Sequence, residues 1–287
     1  MNLPSHRAIA INVVAVGLIG AAAFTLVRNA LFPARAEACA ARYFNEQTLP
    51  LRNGRAMLTI DDLQASLNGL DSGVIENLSV RELKEGPANA AIGAHYGAGS
   101  RQVPSDGNTA GGFSFPWQPG GLPRTVSAAC LSYHVFVMKD FDFGTGGVLP
   151  GLTARDGGSV VNSSHGLDTS VIWRDGGYVE SMVTRLSEGA PKTELLQGDR
   201  VQLPRERWVR IDHEMILNTP KTANGVIRTW IDNRLVVETI GARLRDGLTV
   251  VQTGVAAKTY FGGDGIGGAA PKEQSLWMTP FQMRWNK

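Results

Sequence analysis

The chain has 287 residues, with 28 Lys+Arg against 26 Asp+Glu, a net charge of +2 and 43% hydrophobic residues. Basic residues are interspersed with acidic ones, so no basic stripe for nucleic acid exists, and the apolar content fits a packed globular domain. Behind the N-terminal segment, about 250 residues are enough for one large β domain.

Residues 8–27 (AIAINVVAVGLIGAAAFTLV) carry no charge and are flanked by Arg7 and Arg28. A run of about 20 such residues can span a bilayer as a helix. Small-residue cleavage patterns follow at Ala34-Arg35-Ala36 and Ala36-Glu37-Ala38. Residues 1–35 therefore read as an N-terminal hydrophobic helix, either an uncleaved membrane anchor or a cleaved signal peptide. Both readings export the rest of the chain, to the periplasm or the extracellular space. In such a compartment Cys39 and Cys130 can form a disulfide; the alternative is two unpaired thiols. No Cys/His metal spacing is present, and neither metal nor cofactor is expected.

Residues 36–74 read as a connector with local helix in Asp61–Leu70. From about Ile75 to Lys287, short β-rich runs are punctuated by Gly, Pro, Asn and Asp. Strands are predicted over Leu131–Met138, Val171–Arg174, Tyr178–Leu186, Trp208–Leu217, Val226–Ile231, Leu235–Ile240, Leu248–Thr253 and Ser275–Trp285. Turn chemistry stands between them at Asp175-Gly176-Gly177 and Asp232-Asn233-Arg234. Gly262–Ala270 reads as a flexible loop. The pattern predicts an all-β jelly-roll sandwich of two curved antiparallel sheets, one of them concave.

Four blocks carry a family resemblance. They are Leu131–Leu152 (LSYHVFVMKDFDFGTGGVLPGL), Val171-Ile172-Trp173-Arg174 with Glu180 behind it, Leu217–Pro220 with Asn224–Asp232, and Thr259-Tyr260-Phe261-Gly262-Gly263. Together these resemble the family 14 polysaccharide lyases, which cleave alginate-like polyuronates. The resemblance implies a polysaccharide ligand on a concave sheet and β-elimination as the ancestral reaction. Such a reaction neutralises the uronate carboxylate, removes the C5 proton and protonates the leaving oxygen.

The resembled loop reads Gly-Gly-Lys-Leu-Pro-Gly with a catalytic lysine, and the corresponding position here is Val148. The family's serine and arginine positions fall on Asp168 and Ser170, and its two tyrosine positions on Met182 and Thr184. All five depart from the pattern. Residues two apart on a strand share a face, which groups Asp168, Ser170, Ile172 and Arg174, and on the next strand Tyr178, Glu180, Met182 and Thr184. Val148, Asp168, Ser170, Arg174, Tyr178, Glu180, Met182 and Thr184 are thus the candidate substrate-binding set. In that set an uncompensated Asp168 would repel a uronate by about 4 kcal/mol at close range, unless Arg174 or Arg185 offsets it.

The catalytic candidates that remain are His165, Tyr178 and Asp168. His165 reads either as a base or as an exposed loop histidine, and Tyr178 as an acid/base, a stacking group or an ordinary strand residue. His134 reads as a hydrogen-bonded strand residue and His213 as a core histidine. Trp230 reads as packing rather than a sugar platform, and Trp173 fits either role. Asn77 and Asn162 begin glycosylation sequons. Three functions compete: a polysaccharide-binding protein without the family's elimination, an enzyme using other residues, and a structural or partner-binding envelope protein.

Overall fold

The computed structural model describes residues 37–286 except 68, 103–110, 161–164, 188–189 and 264. The N-terminal hydrophobic run and the sequon at Asn162 lie outside the described residues. Among the described residues no helix is long and apolar enough to cross a membrane.

Glu37–Lys287 form one compact unit. A 3₁₀ turn at Cys39–Arg42 leads to β1 (Asn45–Thr48), the small hairpin β2 (Arg52–Asn53) and β3 (Ala56–Met57), then α1 (Ile60–Ser66) and α2 (Val74–Asn77). The strands then run β4 (Leu78–Glu82), β5 (Ala90–Tyr96), β6 (Phe113–Trp117), β7 (Ala128–Val137), β8 (Gly146–Leu149), β9 (Gly151–Asp156) and β10 (Gly166–Arg174). They continue as β11 (Val179–Leu186), β12 (Lys192–Leu196), β13 (Trp208–Ile216), β14 (Gly225–Ile231), β15 (Arg234–Ala242), β16 (Val250–Phe261), β17 (Gln274–Met278) and β18 (Gln282–Trp285). The first sheet has the order β15-β14-β13-β7-β17-β5-β4, with β18 also paired to β7 and β1 to β18. The second has the order β12-β11-β10-β8-β16-β6, with β9 continuing β8 between β10 and β16. The pairings within both sheets are antiparallel.

The core lies between the sheets and follows the period-2 rule. Leu131, Tyr133, Val135 and Val137 of β7 and Val209, Ile211 and Met215 of β13 face Leu167, Val171 and Trp173 of β10 and Val183 of β11 in one buried cluster. His213 centres a small polar group buried on that inner face. Its Nδ1 lies 2.8 Å from Thr229 Oγ1 and its Nε2 2.8 Å from Thr169 Oγ1, and Thr229 Oγ1 meets Ser181 Oγ at 2.8 Å. The imidazole therefore ties β13 to β10 across the interface with both nitrogens satisfied. Burial pushes its pKa down to about 3.

The stretch read as a connector joins the same unit. Asn45–Thr48 pair with Gln282–Trp285, and Cys39 is disulfide-bonded to Cys130 on β7. Glu214, fully buried, accepts from Tyr43 Oη at 2.7 Å and from Arg42 Nη2 at 2.7 Å. α1 begins with a capping box in which Thr59 and Asp62 satisfy each other's backbone N–H groups.

Three differences from the sequence expectation have local causes. The Gly-rich run after β7 is not a loop but two short central strands, split at Pro150. Its glycines are required for close approach: a Cβ on Gly147 would lie 2.1 Å from the Trp173 ring, and one on Gly151 would lie 2.1 Å from the Thr169 carbonyl oxygen. β16 runs on past Thr253 to Phe261, through a register shift at Gly254, whose φ is +149°. The last predicted strand is two, β17 and β18, broken at Thr279-Pro280-Phe281. The turn at Asp232-Asn233 has positive φ at both residues (48° and 63°), as a two-residue hairpin turn of the primed kind demands.

Candidate functional site

The outer face of the second sheet collects the sequence-predicted residues by register. Asp168 pairs with Thr184, Ser170 with Met182 and Ile172 with Glu180 between β10 and β11. On the other side Ile172 pairs with Val148, and Val148 with Tyr260 of β16. Thr153 of β9 stands beside Asp168, and Leu195 and Thr193 of β12 beside Met182 and Thr184. Alternation thus brings seven of the eight candidates onto contiguous outward positions, and Tyr178 joins them through its carbonyl, which accepts from Arg174 N at 2.8 Å.

This face has an apolar and a polar half. Val148, Ile172, Met182, Tyr260 and Ile266 form their own buried cluster, separate from the inter-sheet core, with Leu195 against it. Ile266 comes from the Gly262–Ala270 segment, which is tied down by Gly262 N to Gly146 O at 3.0 Å and Thr145 Oγ1 to Gly267 O at 2.9 Å. Val148 is 0% exposed beneath this cover, and Met182 3%.

The polar half centres on Asp168. Its carboxylate lies 2.8 Å from Arg155 Nη2 and 3.2 Å from Lys258 Nζ, all three side chains being 12–14% exposed. Burial alone would raise the Asp168 pKa, but Lys258 and Arg155 outweigh it and hold it near 2. Burial alone would lower that of Lys258, and Asp168 reverses it, so the ammonium stays charged. Two cations against one carboxylate leave a net positive charge under this half of the face. This corrects the expectation of an unpaired, repelling Asp168, and Arg174 and Arg185 are not the compensating groups. Arg174 Nε stands 3.8 Å from Glu180, and Arg185 binds Glu194 at 3.1 Å and the Arg243 carbonyl at 3.0 Å. Ser170 Oγ, beside this trio, is buried with no hydrogen-bond partner among the described residues.

The three catalytic candidates occupy different surroundings. Asp168 is committed to its two cations. Tyr178 is half-buried, its ring covered by the Arg200 guanidinium at 4.5 Å. His165 is exposed just before β10, its carbonyl accepting from Asp156 N at 3.1 Å. Trp173 is a core residue, packed edge-on against Tyr96, Phe141 and Phe261 with its indole N–H on the Phe143 carbonyl at 3.1 Å. Trp230 is buried beneath Arg42.

Sequence reasoning missed Arg155 and Lys258. Lys258 had a readable signal: it is the lone charge in Val250–Phe261 and sits two residues before Tyr260 on the same face.

Two packed antiparallel sheets with a decorated outer face define the class as a jelly-roll sandwich. A sequence profile of polysaccharide lyase 14 matches residues 84–281, and the chain belongs to that family. Among solved structures it is similar to the marine PL-14 alginate lyase from Aplysia kurodai (19% identity, TM-score 0.67, covering 85% of this chain and 99% of that one). It is also similar to the alginate lyase vAL-1 from Chlorella virus (21%, 0.64, 84% and 99%). A third is a variant of the alginate lyase Aly36B in complex with alginate trisaccharide (14%, 0.56, 84% and 98%). A search of the curated proteins found no match.

Proposed function

We propose that this protein is an exported polysaccharide-binding member of its family that does not perform elimination through the family's loop lysine. The observation that carries the reading is Val148. The position where the resemblance expects a lysine is occupied by a fully buried valine, packed with Ile172, Met182, Tyr260 and Ile266. The valine itself offers neither a base for the C5 proton nor a charge for the carboxylate. The glycan lies along the outer face of the second sheet, where Arg174, Tyr178, Glu180 and Thr184 remain accessible at its margins. Family membership supports a polysaccharide ligand. The Cys39–Cys130 bond supports export by residues 8–27, since such bonds persist in oxidising compartments.

The test is direct. Elimination products carry a C4–C5 double bond that absorbs in the ultraviolet. The protein is incubated with polyuronates and neutral glycans, and binding is measured in parallel. Binding without an absorbance rise is the expected result; an absorbance rise sinks the reading.

A second reading, an enzyme built on other residues, is favoured by the Asp168–Lys258–Arg155 trio beside the unpartnered Ser170 hydroxyl. In it the Lys258 ammonium stabilises developing negative charge and does not act as the base, because it is held protonated. Absorbance that appears with wild type and disappears with Lys258→Met would establish this reading over the first.

A further inference from the structure

The outer face of the first sheet carries chemistry that the second sheet's site does not use. The outward residues of β7 are Ser132, His134 and Phe136, and those of β13 are Trp208, Arg210 and Asp212. Register places Trp208 beside Phe136 and Arg210 beside His134, with Trp277 of β17 on the other side of Phe136. An aromatic row therefore crosses three adjacent strands, and all three rings are partly exposed. The Phe136 and Trp208 centroids lie 5.4 Å apart. Trp277 is capped by the Arg81 guanidinium at 3.4 Å and lies over Gly93, where a Cβ would come within 2.8 Å of its ring. Trp208 and Phe136 are left as the open aromatic surface.

One register step along the strands lies a pocket of about 430 Å³, lined among others by Thr48, Asn89, His134, Arg210, Thr279 and Gln282. Its rim is the β4–β5 connection, which also brings Gly86 against the Trp208 indole. The charges around it are already matched. Arg210 holds Asp212 through two bonds of 2.8 and 2.9 Å, and Arg284 holds Glu46 at 2.8 Å. The His134 imidazole and the Trp208 indole N–H, by contrast, have no hydrogen-bond partner among the described residues. Burial, then the nearby Arg210, lowers the His134 pKa, so the ring is neutral near pH 7.

We propose that this face is a second carbohydrate site, which takes an uncharged pyranose unit with its C–H face on Trp208 and its hydroxyls in the pocket around His134. An aromatic surface beside convergent, unpartnered polar groups suits a ligand that is apolar on one face and ringed by hydroxyls. A uronate gains little in the pocket, since the two guanidiniums beside it, Arg210 and Arg284, already hold carboxylates, and Arg81, the third on this face, is spent on the Trp277 ring. A purely apolar partner would leave the polar groups unused. The site is independent of the glycan reading of the second sheet and would stand if that reading failed.

Isothermal titration of the full chain with cellotetraose, xylotetraose and chitotetraose, and with a mannuronate tetramer as the acidic comparison, tests this. At least one neutral tetramer binds at micromolar to millimolar concentration, and the mannuronate tetramer does not displace it. Trp208→Ala and His134→Ala each weaken that binding by about tenfold or more. Circular dichroism checks that Trp208→Ala is folded; if it is not, His134→Ala, a substitution at a partly exposed side chain, decides alone. Absence of neutral-tetramer binding up to about 10 mM overturns the proposal, as does displacement by the mannuronate tetramer or wild-type affinity in either folded variant.

Discussion

Lys258 and Asp168 meet at 3.2 Å although they lie 90 residues apart and on strands separated by β9. Lys258 stands on β16 between the residues that pair with β8 and those that pair with β9, opposite the break at Pro150. The ammonium reaches across that break to the carboxylate on β10. With Arg155 it turns a buried acid into the anchor of a positively charged half-face.

Lys258→Met leaves the Asp168 carboxylate with Arg155 alone, and urea unfolding at pH 7 should show a loss of about 3 kcal/mol. The same pair predicts an acid limb. The folded pKa of Asp168, near 2, lies below an unfolded value of about 3.9, so its contribution is complete above that value and is lost as pH falls toward 2. Asp168→Asn should remove this limb. An unchanged stability profile below pH 4 in that variant would show that the trio contributes nothing.

His213 predicts a second, higher window. Its folded pKa near 3 lies below an unfolded value of about 6.5, so the unfolded chain takes up a proton that the folded core refuses. Stability therefore falls on acidification through this interval, by at most about 1.4 kcal/mol per pH unit from this group. His213→Gln should flatten the profile between about pH 6.5 and 4, above the range of Asp168. A slope identical to wild type would assign the effect to other residues.

The disulfide closes a sequence separation of 91 residues and fastens the N-terminal strand segment to β7. Replacing Cys39 and Cys130 by serine should lower unfolding free energy by about 4 kcal/mol, mainly through the unfolded chain. Thermal melts of wild type with and without reductant provide the check, and equal midpoints would count against it.

Val148→Lys places an ammonium in the apolar cluster under Ile266. We expect a loss of about 3 kcal/mol and no ultraviolet-absorbing product from polyuronates, because the residues around it supply no counter-ion. Turnover by this single variant would mean that the rest of a lyase site is intact.

Much of this protein was legible along the chain. The alternation of Asp168, Ser170, Ile172 and Arg174 fixed which side chains share a face, because strand geometry is local and has a period of two. The turn chemistry at Asp232-Asn233 and the blocks around Val148 and Trp173 marked the hairpins and the family. His213 was recognisable as a core histidine from its apolar neighbours, but its bridge to Thr169 was not. What tertiary structure alone decided was pairing and cover. Arg155 and Lys258 became the partners of Asp168 only through the registers of β9 and β16. Val148 became inaccessible only when Ile266, 118 positions later in the chain, folded back over it. Counter-ions and lids are contributed by distant segments, and neither periodicity nor composition records which distant segments will meet.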